Sequence, residues 1–374
     1  MEWSLTLWIA VVLGGLAVFL LVQFIWLFVV ITWSEQQSAG IGYFGRSPAG
    51  RERFRLRLRR HAFLLTPILR LVGRFSSFTF ERASFRHAGI SGPRGTCSEE
   101  SFAHGAAYVP RPEDIFVVTQ MKCGTTWMQQ LVHEVLCRGE GDLVESGTAL
   151  YAVSPWLEGL KGVAIEEAPL ISTDRPSRII KTHFPVDLCP FDPRARYIYV
   201  ARHPVSCFAS CADFLAATAG ALAPDLDVVE AWFCSDEEMW WGPWTDHVDG
   251  WWNKAAGGDN ALFVTFEEMK SDLPVVVDRI AAFLGVPELG DDARANVVRK
   301  SSFDYMRRHN GAFEMRPPHV FAIDGELFVR GSADRHRDVP ADVGRRIAAW
   351  SAAGLRDGHF PLERIYPDVA ATTA

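Results

Sequence analysis

The chain has 374 residues, of which 48% are hydrophobic and 22% charged, and its net charge is −7 at neutral pH. This composition is that of a folded protein with a large core and excludes an intrinsically disordered chain. The seven cysteines are an odd number without framework spacing, which argues against a disulfide-stapled secreted domain and fits a reducing compartment.

The first predicted element is an apolar helix near the N-terminus. No residue from Leu5 to Trp33 is charged, and this run of 29 residues exceeds the roughly 20 needed to cross a bilayer. The start Met-Glu-Trp lacks the positive charge of a cleaved signal peptide, and no small-residue cleavage site ends the run. Tryptophans suited to anchoring at membrane interfaces are Trp3, Trp8, Trp26 and Trp33. The sequence therefore predicts that residues 1–33 are a single-pass membrane anchor.

Residues 34–75 are strongly basic, with nine arginines, two glutamates and a net charge of +7, whereas residues 76–374 carry −13. Basic residues beside a membrane span usually stay cytoplasmic, so the C-terminal domain is predicted to face the cytoplasm. We expect a juxtamembrane linker that touches anionic lipid at 46–60 and lies in the interface as a short amphipathic helix at 61–75; a solvated linker is the alternative. The acidic balance of 76–374 argues against nucleic-acid binding.

A predicted anion-binding loop follows in the segment 115–136. Residues 115–118 are apolar or β-branched and predict a buried strand, and the apolar spacing of 125–136 predicts a helix. A helix N-terminus attracts anions because its first N–H groups have no internal partner, and Gly124 lets the backbone approach a phosphate closely. Lys122 adds a positive charge. The loop lacks the Gly-x-x-x-x-Gly-Lys pattern of common nucleotide-binding proteins, so alone it is equally compatible with an ordinary turn.

Three further segments each predict a strand that ends in polar residues. Ile179 and Ile180 suit a strand whose end carries Lys181 and His183 on one face. Residues 197–201 predict a strand that ends in Arg202, followed by a helix that begins near Pro204 and carries Ser210. Residues 261–269 predict a strand, and 273–285 a helix. This alternation predicts an α/β fold, a parallel sheet flanked by helices on both faces, within a catalytic domain spanning 76–374.

These segments resemble, in family order from about 112 to 331, the motifs of cytosolic-type sulfotransferases, which use 3′-phosphoadenosine 5′-phosphosulfate (PAPS). The family's loop for the 5′-phosphosulfate, usually Lys-Ser-Gly-Thr-Thr-Trp, is similar to Lys122-Cys-Gly-Thr-Thr-Trp127. The family's Lys-Thr-His-Leu-Pro is similar to Lys181-Thr-His-Phe-Pro185. The 3′-phosphate motif is similar to the spacing from Arg202 to Ser210, and the adenine-side motif is similar to Ser301-Ser-Phe303.

The resemblance implies transfer of a sulfuryl group from PAPS to an acceptor hydroxyl or amine, with PAPS as the donor and no metal. By analogy with phosphoryl transfer, the reaction needs a proton acceptor and preorganised cations. The catalytic residues implied are His183 as general base, with Lys122 and Lys181 as cations. The donor-binding residues implied are Lys122, Cys123, Gly124, Thr125, Thr126, Trp127, Arg202, Ser210, Phe266, Ser301, Phe303, Arg330 and Gly331.

Three positions depart from the family pattern. Cys123 replaces the usual serine, Phe266 stands where tyrosine is frequent, and Val329-Arg330-Gly331 replaces Arg-Lys-Gly. The last departure leaves open a catalytically decayed, membrane-bound nucleotide-binding protein. The sequence is also compatible with a P-loop kinase or NTPase and with a lumenal sulfotransferase.

The acceptor is less defined than the donor. The membrane anchor suggests a lipid or another lipophilic small molecule. Residues 225–252 hold six tryptophans, which either line an apolar acceptor pocket or belong to the core. The sequence does not define an oligomeric state.

Overall fold

The computed structural model describes residues 5–36, 44–73, 78–160, 162–171, 175–314 and 335–373. The α-helices are α1 (Leu5–Gln36), α2 (Pro48–Gly73), α3 (Phe80–Ala83), α4 (Glu99–Ala106), α5 (Thr125–Leu136), α6 (Leu150–Val153), α7 (Pro204–Ala219), α8 (Leu226–Phe233), α9 (Trp244–Ala256), α10 (Phe266–Ser271), α11 (Leu273–Leu284), α12 (Asp291–Lys300), α13 (Phe303–Arg308), α14 (Asn310–Phe313), α15 (Ala341–Gly354), α16 (Leu362–Ile365) and α17 (Pro367–Ala370). The β-strands are β1 (Ser84–His87), β2 (Ile90–Pro93), β3 (Asp114–Thr119), β4 (Arg178–Thr182), β5 (Arg196–Ala201) and β6 (Ala261–Thr265).

The centre of the fold is a four-stranded parallel sheet in the order β4-β3-β5-β6, while β1 and β2 form a separate antiparallel pair. β3 pairs with β4 and β5 on its two sides, with Ile115 opposite Ile179 on one side and opposite Arg196 on the other. All four strands therefore point their carboxyl ends at one edge. The prediction of a parallel sheet flanked by helices is confirmed.

Alternate side chains of the sheet enter two different hydrophobic clusters, which is why its strands are apolar throughout. Val117 and Ile198 pack into a cluster with α5, α11 and α12. Phe116 and Tyr197 face the opposite side and stack at 4.9 Å in a cluster that includes α7, α9 and α15. Helices on both faces thus hold the sheet rigid beneath its polar edge.

One part of the predicted secondary structure is wrong. The strand predicted at 261–269 ends at Thr265, and α10 begins at Phe266. The Thr265 side chain accepts from the Glu268 backbone N–H, and the Glu268 carboxylate accepts from the Thr265 N–H. This capping box favours a helix start over a continued strand.

The tryptophan-rich segment lies mainly in the core. Trp232, Trp244 and Trp251 are each about 1% exposed. Trp241 is also buried, but its ring centroid lies 4.7 Å from that of His183. Core packing therefore accounts for most of this segment, with Trp241 at the polar edge.

Within the described residues, two helical stretches have the length and composition of a membrane span. Leu5–Ile25 is not buried in the protein, whereas Pro204–Leu222 is 39% buried and contributes Cys207 and Phe208 to the core. The second stretch is therefore the apolar helix α7 of the domain, whereas the first stretch is exposed along its length.

The predicted basic linker 34–75 is largely helical. α2 begins at Pro48, earlier than the predicted amphipathic helix. Its Phe54 and Leu65 are buried with Phe44, Ala149 and Tyr151 in a small cluster against the domain. This segment is thus packed on the domain rather than solvated along its whole length.

A buried ion pair holds β3 and β4 in register at the end opposite the polar edge. Arg178 donates to the Asp114 carboxylate at 2.9 and 2.7 Å, and the Tyr108 hydroxyl donates to its other oxygen at 2.7 Å. Arg178 is 3% and Asp114 0% exposed, so the pair is shielded from water. Removing one partner leaves the other charge buried without compensation.

We expect Arg178→Ala to lower the free energy of unfolding by about 3–5 kcal/mol because Asp114 stays buried. The measurement is urea unfolding of the full chain in detergent. Arg194→Ala is the matched control, since Arg194 pairs with Asp192 but its side chain is 65% exposed. The control should lose far less stability, because water screens an exposed ion pair. Equal losses in the two variants would contradict this account.

Candidate functional site

The predicted site residues gather at the edge where the four parallel strands end. Lys122 lies in the loop after β3, His183 directly follows β4, Arg202 directly follows β5 and Phe266 directly follows β6. Crevices outside the carboxyl ends of parallel strands are the usual ligand sites of such sheets.

The loop between β3 and α5 has a backbone shaped for close approach of a ligand. Gly124 caps α5 in the left-handed region with φ 106°, and no side chain caps that helix end. A Cβ at this position would lie 2.9 Å from the Phe266 ring. Lys122 also has a positive φ of 66°, an uncommon conformation for a residue with a side chain. Inside the loop turn, Thr125 is anchored by its hydroxyl 2.6 Å from that of Thr119.

The side chains of Lys122 and Cys123 lie in different surroundings. The Lys122 ammonium lies 4.7 Å from the centroid of the Phe214 ring, and burial, with a contribution from Arg202, lowers its pKa. Cys123 is fully buried, and its sulfur lies 3.6 Å from that of Cys207. Burial raises the pKa of the Cys123 thiol, so it stays neutral. The replacement of serine by cysteine thus suits a buried position, and Cys123 offers a ligand its backbone rather than its side chain.

Lys181 and His183 lie beside aromatic rings at the end of β4. The Lys181 ammonium is 3.6 Å from the centroid of the Trp156 ring, and His183 packs edge-on against the same tryptophan at 5.5 Å. The His183 Nδ1 lies 2.8 Å from the Thr119 carbonyl oxygen, which can only accept. Nδ1 therefore carries the proton, and Nε2 carries the lone pair. Burial, reinforced by the charge of Lys181, lowers the pKa of His183 well below its usual value.

A buried carboxylate, Glu158, fixes the segment that carries these two residues. Its oxygens accept from the His183 backbone N–H and from the Thr182 hydroxyl, each at 2.8 Å. Glu158 is 0% exposed, and burial raises its pKa while the hydrogen bonds and the charge of Lys181 oppose that rise. The carboxylate thus positions His183 through its backbone.

Arg202 links the end of β5 to the loop. Its guanidinium donates to the Lys122 carbonyl at 3.0 Å and lies 4.3 Å from the centroid of the Phe266 ring. Its own carbonyl accepts from the Trp244 indole at 3.1 Å. Ser210 lies two turns along α7 and is partly exposed.

The predicted adenine-side residues form a second group. The Trp127 indole donates to the Ser301 carbonyl at 2.7 Å, and its ring meets Phe266 edge-on at 5.3 Å. Phe303 opens α13, and the Lys270 ammonium lies 5.5 Å from its ring centroid. The structure thus joins Trp127, Phe266 and Ser301, with Phe303 two residues beyond.

Some predicted site residues lie outside the described part of the chain, and some residues of the site were not predicted from the sequence. Arg330 and Gly331 lie outside the described residues. Glu158 and Thr119 were not predicted, although Thr119 is the last residue of the strand before the loop. Tyr151 was also missed; its hydroxyl is 3.2 Å from that of Thr126. No periodicity marks these two residues, because Glu158 lies outside the helices and strands and Tyr151 lies in a helix of only four residues.

A parallel sheet whose edge gathers three cations around a glycine-capped helix start defines a P-loop-like binding site for a phosphorylated nucleotide. The sulfotransferase domain family matches residues 112–331. Human sulfotransferase 2B1 is 32% identical over 259 residues, which are 66% of this chain and 67% of that protein. Mouse sulfotransferase 2A2 is 30% identical over 265 residues, 68% of this chain and 90% of that protein.

The fold agrees with a solved structure, that of retinol dehydratase in complex with retinol and PAP. The TM-score is 0.58 at 23% identity, over 75% of this chain and 95% of that protein. The family match covers more than half of the chain, so the protein belongs to the sulfotransferase family. It is an enzyme that transfers a sulfuryl group from PAPS, and its strand-end cations and open helix start fit that polyanionic donor.

We expect 3′-phosphoadenosine 5′-phosphate (PAP), the donor without its sulfuryl group, to stabilise the full chain in detergent. At one hundred times its dissociation constant, the gain is about 2.7 kcal/mol. Lys122→Ala and Arg202→Ala should each reduce the shift in unfolding temperature because each removes a cation from the strand-end edge. Arg194→Ala, an exposed arginine elsewhere, should keep the full shift. An undiminished shift in both site variants would place the donor elsewhere.

Proposed function

We propose that the enzyme sulfates the hydroxyl of a lipophilic acceptor, with His183 as the general base. The observation that carries this proposal is the tautomer of His183. Because Nδ1 is committed to the Thr119 carbonyl, Nε2 is the nitrogen that can take the proton of an acceptor. An amine acceptor would use the same nitrogen.

The proposed steps assign one task to each group. PAPS supplies the sulfuryl group when bound. His183 Nε2 accepts the acceptor's proton, and Glu158 keeps the His183 backbone in place. Lys122 and Lys181 offset the negative charge that develops on the leaving phosphate. Trp156 and Glu158 hold the Lys181 segment, so little reorganisation is needed during reaction.

Donor binding is proposed to extend from this centre along the strand ends. Residues 122–127 would hold the 5′-phosphosulfate with backbone N–H groups and the hydroxyls of Thr125 and Thr126. Arg202 and Ser210 would hold the 3′-phosphate, joined by Arg330 and Gly331 from outside the described residues. The adenine would contact Trp127, Phe266, Ser301 and Phe303.

Two observations support a lipophilic acceptor at a membrane. Aromatic side chains surround His183, with Trp156 at 5.5 Å and Trp241 at 4.7 Å between ring centroids. The exposed side of α2 also mixes arginines with apolar side chains, including Phe63 at 78% and Leu71 at 55% exposure. We propose that α1 anchors the chain, that α2 contacts anionic lipid and that the catalytic domain is cytoplasmic. Retinol, which is bound in the complex of the structurally similar retinol dehydratase, is also lipophilic.

We expect kcat/KM to stay flat as the pH falls from neutrality through about 6.5, the usual pKa of histidine. His183 can accept a proton only when neutral, and its lowered pKa keeps it neutral into that range. The acid limb should therefore lie below pH 6.5. His183→Ala should lower kcat by about 10²- to 10⁴-fold without weakening PAP stabilisation. The exposed His104→Ala is the control. An acid limb above pH 6.5, or an active His183→Ala enzyme, would contradict the assignment.

The acceptor class is tested with sulfur-labelled PAPS added to membranes that contain the full chain. We expect label in the organic-soluble lipid fraction, absent when His183→Ala replaces the parent. The comparison acceptor is a water-soluble phenol. Label confined to the phenol would exclude the lipophilic class while leaving sulfuryl transfer intact.

A further inference from the structure

Tyr151 connects two groups of the catalytic centre. Its hydroxyl lies 3.2 Å from that of Thr126, and its ring centroid lies 5.3 Å from the Lys181 ammonium. The side chain is 4% exposed, and burial raises its pKa to about 12, so the hydroxyl stays protonated. The Tyr151 ring thus borders the lysine, and its hydroxyl reaches the start of α5.

Tyr151 is held from behind by the juxtamembrane segment. The Phe44 ring stacks on it with centroids 5.7 Å apart and planes 22° apart. Phe54 and Leu65 of α2 are 7% and 2% exposed in the same cluster. Because α6 has only four residues, its own helical bonds fix Tyr151 weakly, and this packing supplies much of its order.

Arg51 secures that packing from inside α2. It is only 3% exposed, and its guanidinium donates to the carbonyls of Phe44, Arg46 and Gly147 at 3.4, 2.7 and 3.1 Å. Gly147 has a positive φ of 71°, and a Cβ there would lie 2.8 Å from a Pro48 ring carbon. A buried arginine with several acceptors on two chain segments is a clamp rather than a lipid contact.

An ion pair fastens α2 further along. The Arg55 Nε lies 3.3 Å from an oxygen of Glu314, whose side chain is 2% exposed. Glu314 directly follows α14, so α2 is held on two separate parts of the catalytic domain.

We propose that the segment 44–73 is a working part of the catalytic site: it holds Tyr151, and the Tyr151 ring positions Lys181. Tyr151 is a positioning residue, and Arg51 acts through it. The consequence for the reaction rests on the role proposed above for Lys181. The clamp itself rests only on the contacts of Arg51, Phe44 and Tyr151.

The test compares Arg51→Ala with Arg53→Ala in the full chain in detergent. Both remove one arginine from α2, but Arg53 is exposed. The first readout is labelling of Lys181 by an amine-reactive ester, followed by mass spectrometry, with Lys254 as internal reference. We expect Arg51→Ala to speed labelling of Lys181 about tenfold and to leave Lys254 unchanged, while Arg53→Ala matches the parent.

The second readout is turnover of PAPS with 2-naphthol as acceptor. Arg51→Ala should lower kcat about tenfold and move the acid limb of kcat/KM to higher pH, because a displaced Lys181 no longer lowers the pKa of His183. Tyr151→Leu should do the same, whereas Tyr151→Phe keeps the ring and should retain kcat within about twofold. This rescue separates positioning of Lys181 from general damage to the fold.

Labelling of Lys181 that is equal in Arg51→Ala and Arg53→Ala would overturn the proposal, as would equal kcat and acid limbs in Tyr151→Leu and the parent. A parent that binds PAP but sulfates neither 2-naphthol nor lipid would instead count against the proposed function, and the labelling would still decide whether the clamp exists.

Discussion

The parallel pairing of β3 with β4 and β5 is the constraint on which the whole site depends. It brings Thr119, His183 and Arg202 to one edge although they are far apart in sequence. The buried pair of Asp114 and Arg178 fixes the register at the opposite end. A slip of one residue would turn Lys181 to the other face of the sheet, because side chains alternate along a strand. The geometry of the charged edge is therefore set by apolar packing and one ion pair remote from it.

This arrangement is electrostatically unfavourable in the free protein, because positive charges lie close together where little water solvates them. Arg202 contributes to the lowered pKa of Lys122, and Lys181 and Lys122 both lower that of His183. A polyanionic donor relieves this repulsion, so the same charges that strain the free protein favour PAPS. Glu158 lies near Lys181, and it accepts a hydrogen bond from the His183 backbone N–H. This buried carboxyl group keeps His183 and Lys181 in one rigid segment.

The strand, loop and helix around Lys122 could be predicted because periodicity and a glycine at a helix start are local signals. The end of β6 was predicted too late, although Thr265 and Glu268 already form a capping pattern in the sequence. Glu158 could not be predicted in the same way. The position of Glu158 depends on backbone pairing between residues 155–157 and Lys181. The Lys181 backbone N–H donates to the Pro155 carbonyl, and the Lys181 carbonyl accepts from the Leu157 N–H, each at 2.8 Å. Such a backbone contact between distant segments produces no periodicity or spacing in the sequence from which it could be predicted.

The basic segment shows why composition alone misassigns individual residues. All nine arginines of 34–75 contribute equally to its net charge, but Arg51 is 3% exposed while Arg57, Arg60 and Arg70 are exposed. Burying a guanidinium is costly unless its donors find acceptors, and Arg51 donates to three carbonyls around it. The two sides of α2 therefore differ. The outer side carries exposed arginines suited to lipid headgroups, whereas the inner side carries Arg51, whose hydrogen bonds stabilise the fold. The inner side of α2 packs against Tyr151, whose ring centroid lies 5.3 Å from the Lys181 ammonium, so the element that follows the apolar helix is linked to Lys181 through this tyrosine.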